Sequence, residues 1–168
     1  MTIPSSFFVD FSKPFIDAAK NIFETMVYTK ISTLKPSFKK DKNALGDISA
    51  IIAMVGHRSF EGINSDFKGQ FLISFPEITY IKIANAMLSE DFTKFDDEII
   101  DVGEEICNMI MGNAKQKLKD LGFSFEMSIP TTVQGSNHKI SYPRSDLIVV
   151  IPVTSDHGEF FFEICYQE

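Results

Sequence analysis

The stretch DDEIIDVGEEICNMIMGNAKQKLKDLG, residues 96–122, predicts a long amphipathic helix. Its apolar residues recur at spacings of three and four, which gathers them on one side of a helical wheel. The helix is expected to run from Asp96 to Leu121, because Gly122 suits the position after a helix end and nearby lysines complement the helix dipole. The residues expected to face the core are Ile99, Val102, Ile106, Met109, Ile110, Ala114, Leu118 and Leu121. This side of the helix should therefore pack against the rest of the fold.

Outside this helix, helix-like and strand-like patterns alternate along the chain. A first helix is predicted over residues 12–26, with Ser12 as its N-cap and Pro14 in its first turn. Another is predicted over residues 76–90, beginning at Pro76. Runs typical of strands occupy residues 27–34, 47–55, 68–75, 123–129, 147–153 and 159–166. The last two runs should form a hairpin.

Two polar stretches lie between these elements. Residues 37–46 are expected to be a solvated loop or an extended hairpin, and residues 56–67 should be a loop between two neighbouring strands. Neither repeats nor a Pro/Gly-rich linker divide the chain, and its 168 residues suit one domain. We therefore expect a single domain over residues 1–168, of α/β class and α+β type, with a mostly antiparallel sheet packed by long helices.

The charge balance and the apolar pattern exclude several kinds of partner. The chain has 16 Lys and Arg residues against 23 Asp and Glu residues, a net charge of −7. An acidic surface repels phosphate backbones and anionic lipid, so neither nucleic acid nor a membrane is expected as a partner. The N-terminal residues lack a signal-peptide pattern, and no apolar run approaches the roughly 18 residues of a membrane span. A cytoplasmic protein is therefore expected.

The residue types that most often bind metals are few and scattered. His57, His138 and His157 fall in predicted loops without metal-ligand spacing, and Cys107 and Cys165 have no cysteine close by in the sequence. No metal site and no disulfide framework are therefore expected. Cys107 lies at the border of the apolar side of the 96–121 helix, which favours packing over a redox role.

The opposite side of the 96–121 helix carries Asp101, Glu105, Asn108 and Gly112, which we call the polar stripe. Their spacings of four, three and four place them within about 60° of one another. Such a stripe can simply be a solvated helix face. An exposed glycine inside a helix, however, costs about 1 kcal/mol relative to alanine, and close approach of another backbone or a ligand is the usual reason for it. The stripe therefore suits a docking face.

The segment DVGEEICNMIMGNAK, residues 101–115, resembles the signature helix of the CheC/CheX/FliY phosphatases of bacterial chemotaxis. That signature has an acid or serine, then Glu-x-x-Asn, then a proline some twenty residues on, and Asp101, Glu105, Asn108 and Pro130 match it. The resemblance spans nearly the whole chain and is greater to the CheX branch than to the longer CheC branch. Other similar segments are PFIDAAKNIFETM, FPEITYIKIANAML and IPTTVQGSNHKI.

Two other segments partly match the signature. Glu61 to Asn64 also reads Glu-x-x-Asn, but it lies in a predicted loop, where residues three apart do not share a face. The first helix contains only Asp17 to Asn21, which has the wrong spacing and no glutamate, whereas CheC carries two such helices. One active helix is therefore expected.

The resemblance implies a phosphatase that hydrolyses the phosphoaspartate of a CheY-type response regulator. Asn108 would hold the attacking water, and Glu105 would engage the regulator's active-site lysine. Asp101, which matches the signature, and Gly112, the exposed glycine of the stripe, are expected to contact the regulator. The regulator is expected to supply Mg²⁺, and this chain is expected to bind no cofactor. A homodimer that extends the sheet through edge strands is also implied. The alternative is a non-catalytic protein of the same superfamily that binds a receiver domain or a flagellar switch component.

Overall fold

The structure, a computed structural model, describes residues 5–143 and 148–168. The described helices are α1 (Ser5–Met26), α2 (Glu77–Leu88) and α3 (Asp101–Asp120), with a short 3₁₀ helix at Asp97–Ile99. The described strands are β1 (Ser32–Thr33), β2 (Ser37–Lys39), β3 (Ile48–Phe60), β4 (Ile63–Phe75), β5 (Phe123–Met127), β6 (Thr131–Gln134), β7 (Ile148–Thr154) and β8 (Phe160–Gln167).

The strands form one sheet in the order β1-β7-β8-β4-β3-β5, with β2 also paired to β7 and β6 also paired to β3. Every pairing between these strands is antiparallel, and β7 and β8 form the predicted hairpin. The predicted α+β class, with a mostly antiparallel sheet and long helices, is confirmed. No described helix has both the length and the apolar character needed to cross a membrane.

The centre of the sheet is a long hairpin of β3 and β4, in register from Ile48 and Phe75 to Phe60 and Ile63. The loop predicted over residues 56–67 is wrong, because both strands continue to a tight turn at Glu61 and Gly62. Both turn residues have positive φ, 50° and 80°, which suits the twist of a two-residue hairpin. The polar side chains of residues 56–67 do not interrupt the strands. Many of these side chains lie on an exposed part of the sheet, where water can form hydrogen bonds with them.

The first helix begins earlier than its sequence pattern predicts. It is already formed at Ser5, so Ser12 is not an N-cap, and both Ser12 and Pro14 lie inside the helix. Proline removes one backbone hydrogen bond there. Packing of Phe8 and Phe11 compensates for this loss, because both rings are almost fully buried in the core.

Several predicted strand limits need correction. Of the strand expected over residues 27–34, only the two residues of β1 form a strand in the structure. Tyr28 cannot belong to it, because its positive φ of 58° turns the chain after α1. The stretch 37–46, expected to be a solvated loop or an extended hairpin, contains the strand β2, which pairs with β7 at the sheet edge. The strand β6 was not predicted. The run 123–129 ends as a strand at Met127. Leu147 of the predicted 147–153 strand lies outside the described residues, and the remaining predicted strands are present.

The main core lies between one face of the sheet and the helices α1 and α3, which pack against each other. Phenylalanine dominates it: Phe15 stacks on Phe71 with ring centroids 5.3 Å apart, and Phe160 and Phe162 are fully buried. The predicted core side of α3 is confirmed except at Leu121, which is 40% exposed. Leu121 follows the last helical residue, where the chain turns through Gly122 (φ 92°) into β5 and leaves the core side.

The other face of the sheet holds a small buried polar cluster. The Lys39 Nζ lies 2.6 Å from Glu163 Oε1 and donates to the Tyr142 hydroxyl at 3.0 Å. The Tyr142 hydroxyl in turn donates to Glu163 Oε2 at 2.8 Å. Burial, with the nearby Glu163 carboxylate, raises the pKa of Tyr142 well above its usual value, so this hydroxyl keeps its proton. Both oxygens of the Glu163 carboxylate therefore have a partner.

Candidate functional site

The start of α3 is held by a tyrosine of the preceding helix. The Tyr80 hydroxyl accepts a hydrogen bond from the Gly103 N–H at 2.9 Å, so it satisfies one of the free donors of the first helical turn. The same hydroxyl lies 2.7 Å from the carbonyl oxygen of Ile99 and 2.9 Å from that of Ile100, and it can donate to either. Burial is the main cause that raises the pKa of Tyr80 to about 12, so it remains a donor at neutral pH.

The predicted helix start at Asp96 is wrong by five residues. Asp96 instead caps the 3₁₀ helix, and its side chain accepts from the Glu98 N–H at 2.9 Å. The chain then enters α3 at Asp101. Tyr80 and Gly103 were not singled out from the sequence, although they fix this junction: a Cβ at Gly103 would lie 3.1 Å from the Tyr80 ring. The sequence did contain one indication of this contact, because Gly103 is a glycine in the first turn of a helix.

All four members of the polar stripe are exposed on the outer side of α3, as predicted. Among the residues that the structure describes, no side-chain hydrogen bond or ion pair involves Asp101, Glu105 or Asn108. A Cβ added at Gly112 would meet no atom within 4 Å. The stripe therefore exposes two carboxylates, a carboxamide and a flat stretch of backbone to solvent.

The loop between β5 and β6 contains Pro130 and lies along the flank of α3. At one end of this flank Thr132 Oγ1 lies 3.4 Å from the carbonyl oxygen of Ile100, and at the other the Lys115 Nζ lies 5.6 Å from the centre of the Phe125 ring. The chain thus turns back after α3 and runs antiparallel to it.

The histidines have structural partners or lie on the sheet. His57 is in β3 rather than in a loop. The ring of His138 is 2.8 Å from the Gly135 carbonyl oxygen and 2.8 Å from Ser49 Oγ, while His157 is 2.8 Å from Thr29 Oγ1. Within residues 5–143 and 148–168, no group of three or more His, Cys, Asp or Glu residues is arranged to hold a metal ion. The polar stripe itself carries carboxylate and amide side chains.

This fold with one exposed Glu-x-x-Asn helix defines a CheC-like protein. The crystal structure of a CheC-like superfamily protein from Shewanella sp. PV-4 matches with a TM-score of 0.82 and 37% identity, covering 95% of this chain and 99% of that one. The family model described as chemotaxis phosphatase CheX matches residues 59–154, more than half of the chain. The chain therefore belongs to the CheX family, and the resemblance inferred from α3 is confirmed.

Two further relatives bear on function. The CheY-P phosphatase CheX of Thermotoga maritima is 30% identical over 101 residues, which cover 60% of this chain and 64% of that protein. The match thus spans less than two thirds of this curated relative. The crystal structure of the CheX–CheY–BeF3–Mg²⁺ complex from Borrelia burgdorferi matches with a TM-score of 0.76 and 26% identity, covering 95% of this chain and 99% of that one.

Proposed function

We propose that this chain hydrolyses the phosphoaspartate of a CheY-type response regulator in the cytoplasm. The observation that carries the proposal is the exposed pair Glu105 and Asn108, one turn apart on a helix whose start is anchored by Tyr80. Two relatives support the proposal, since one is a CheY-P phosphatase and the other forms a complex with CheY. A docking helix with free polar side chains suits recognition of another protein's active site.

In this proposal Asn108 enters the regulator's active site and orients the attacking water. Its carboxamide can accept a hydrogen bond from the water and donate one to the phosphoryl group. Phosphoryl transfer depends mainly on positioning and on charge stabilisation, so one amide can contribute without forming a covalent bond. The Mg²⁺ that balances phosphoryl charge is expected on the regulator, and no cofactor on this chain is needed.

Glu105 is proposed to pair with the lysine of the regulator's active site, and Asp101 to extend the acidic surface. The like charges of Asp101 and Glu105, four residues apart, destabilise the helix by a few tenths of a kcal/mol, and a cation on the partner would offset this repulsion. The N-terminal end of the helix dipole also favours Asp101, which is the first residue of α3. Glu105 therefore provides the stronger reason to expect a cationic partner.

The direct test follows the decay of a phosphorylated CheY-type regulator from the same organism, with and without the wild-type chain. We expect faster release of phosphate at substoichiometric amounts of the chain, because each molecule turns over. Binding of the regulator without faster decay would contradict the proposal and would favour the non-catalytic alternative. The matched control is the same assay with an unphosphorylatable regulator, which should release no phosphate.

Gly112 tests the docking surface without altering catalytic groups. We expect Gly112→Leu to weaken binding of the regulator at least tenfold, because the new side chain projects from the flat part of the stripe. The free chain has room for it, and replacing a helical glycine should raise the free energy of unfolding by about 0.5–1 kcal/mol. Titration of the regulator and thermal unfolding measure the two effects.

The matched control for Gly112→Leu is Asn113→Leu. Asn113 is also exposed on α3, but it points about 100° away from Gly112. Its side chain donates to the Met109 carbonyl oxygen of the same helix, at 3.0 Å. The control should bind the regulator as the wild type does. Equal binding by both variants and the wild type would mean that Gly112 does not face the regulator.

A homodimer formed through edge strands also stays a prediction. Within the described chain, β5 and β6 pair only with β3 on one side of the sheet, and β1 and β2 pair only with β7 on the other. Either edge has backbone groups that a second copy can pair with. We propose that one of these edges forms the dimer.

A further inference from the structure

Ile129 is an exposed apolar residue in a loop that is hydrogen-bonded to the sheet. It is 85% exposed, the largest value among the exposed large hydrophobic residues of the described chain. The preceding residue fixes the loop to the sheet: the Ser128 N–H donates to the Ala53 carbonyl oxygen at 2.9 Å, and the Ala53 N–H donates to Ser128 Oγ at 2.9 Å. A single exposed isoleucine is ordinary on a protein surface, so its meaning depends on its position.

The position of Ile129 along α3 follows from two contacts. Thr132 lies against Ile100, and Phe125 lies against Lys115. An extended backbone rises about 23 Å over the seven residue steps from Phe125 to Thr132. A helical backbone rises about 22 Å over the fifteen residue steps from Ile100 to Lys115. Because the two lengths agree, Ile129, four residues after Phe125, lies level with the part of α3 between Glu105 and Asn108.

Ile129 also lies on the side of α3 to which Asn108 is turned. Lys115 follows Asn108 by seven residues, so the two side chains leave the helix within about 20° of each other. Lys115 contacts the ring of Phe125 in β5. On the opposite flank, Lys117 reaches Asp17 of α1, with Nζ 3.5 Å from Oδ2. The β5–β6 loop therefore borders the stripe on the Asn108 side.

We infer that Ile129 is an apolar anchor that contacts the receiver domain of the regulator beside its phosphoaspartate. The inference rests on the proposed function, because it uses the same docked partner. The stripe itself offers polar side chains and a glycine, whereas binding energy in protein interfaces is concentrated in a few apolar or aromatic contacts near their centre. A regulator that admits Asn108 to its active site brings its surface against this loop. Pro130 and the bonds of Ser128 keep the isoleucine in place before docking.

The test compares Ile129→Ser with the wild type in steady-state hydrolysis and in direct binding of the phosphorylated regulator. We expect KM and Kd to rise about tenfold while kcat changes less than twofold, because Ile129 touches the partner and not the reacting atoms. The matched control is Ile63→Ser. Ile63 is 68% exposed beside the β3–β4 turn, at the far end of α3, and its substitution should leave KM and Kd unchanged.

The outcomes separate this inference from the proposed function. If the wild type hydrolyses the phosphorylated regulator and Ile129→Ser has the same KM and Kd, the inference is wrong and the phosphatase proposal stands. If the wild type neither hydrolyses nor binds the regulator, both fail. If Ile129→Ser changes the sedimentation of the chain but not KM, the loop contacts a second copy instead, which also overturns the inference.

Discussion

Replacing Asn108 with alanine should slow hydrolysis of the phosphorylated regulator by about 10²- to 10³-fold, the usual cost of losing one positioned hydrogen-bonding group at a reaction centre. The water would still reach the phosphoryl group but would no longer be held in line. Binding of the regulator should change little, since Glu105, Gly112 and Ile129 remain. The measurement is the decay rate of the phosphorylated regulator at saturating enzyme.

Stability provides the first check on this result. Asn108 is exposed and makes no side-chain hydrogen bond within the described part of the chain, and alanine is the better helix former. The Asn108→Ala chain should therefore unfold at the same temperature as the wild type or slightly above it. Asn113→Ala removes the same amide from the adjacent turn of α3 and should retain full activity. Full activity of Asn108→Ala would show that another group orients the water.

Replacing Lys39 with methionine should lower the free energy of unfolding by about 3–5 kcal/mol, which is the usual cost of leaving a buried charge without its partner. Glu163 is 1% exposed on the central part of β8, and Lys39, 8% exposed, is its counter-charge at 2.6 Å. The Tyr142 hydroxyl alone cannot neutralise this carboxylate. For a domain of this size the loss corresponds to a melting temperature lower by about 10 °C. Urea unfolding followed by circular dichroism measures the change.

Two variants separate loss of the ion pair from loss of a lysine. Lys40→Met changes the exposed neighbour of Lys39 and should alter stability by less than about 0.5 kcal/mol. Lys39→Met combined with Glu163→Leu should recover most of the lost stability, because a buried pair can often be replaced by apolar residues without a net cost. A double variant as unstable as Lys39→Met would mean that the stability loss arises from packing rather than from the unpaired carboxylate.

The helices and most strands were predictable because their side chains repeat with the period of the element. The core side of α3 and the pair Phe160 and Phe162 follow this rule. The predicted ends of helices and strands were wrong where a contact with a distant part of the chain outweighed the local sequence pattern. Ser12 and Pro14 have the pattern of a helix start, yet burial of Phe8 and Phe11 extends α1 beyond them.

The buried cluster on the second face of the sheet could not be predicted from the sequence. Lys39 stands in a lysine-rich stretch that resembles solvated loop, and Glu163 follows three phenylalanines in a predicted strand. Their interaction joins residues 124 positions apart, through β2 and β8, which both pair with β7. No local pattern encodes such a pairing, because it depends on strand order.

The sequence by itself determined the class of fold, the solvent-facing stripe of α3 and the residues proposed to act there, since helical spacing alone brings Asp101, Glu105, Asn108 and Gly112 onto one face. Tertiary structure decided how that face is held and what borders it. Tyr80 reaches the start of α3 because Gly103 leaves room for its ring. Ile129 stands level with the stripe because the chain returns along the helix after Gly122. Both arrangements depend on contacts between separate elements, which residue spacing within one helix does not specify.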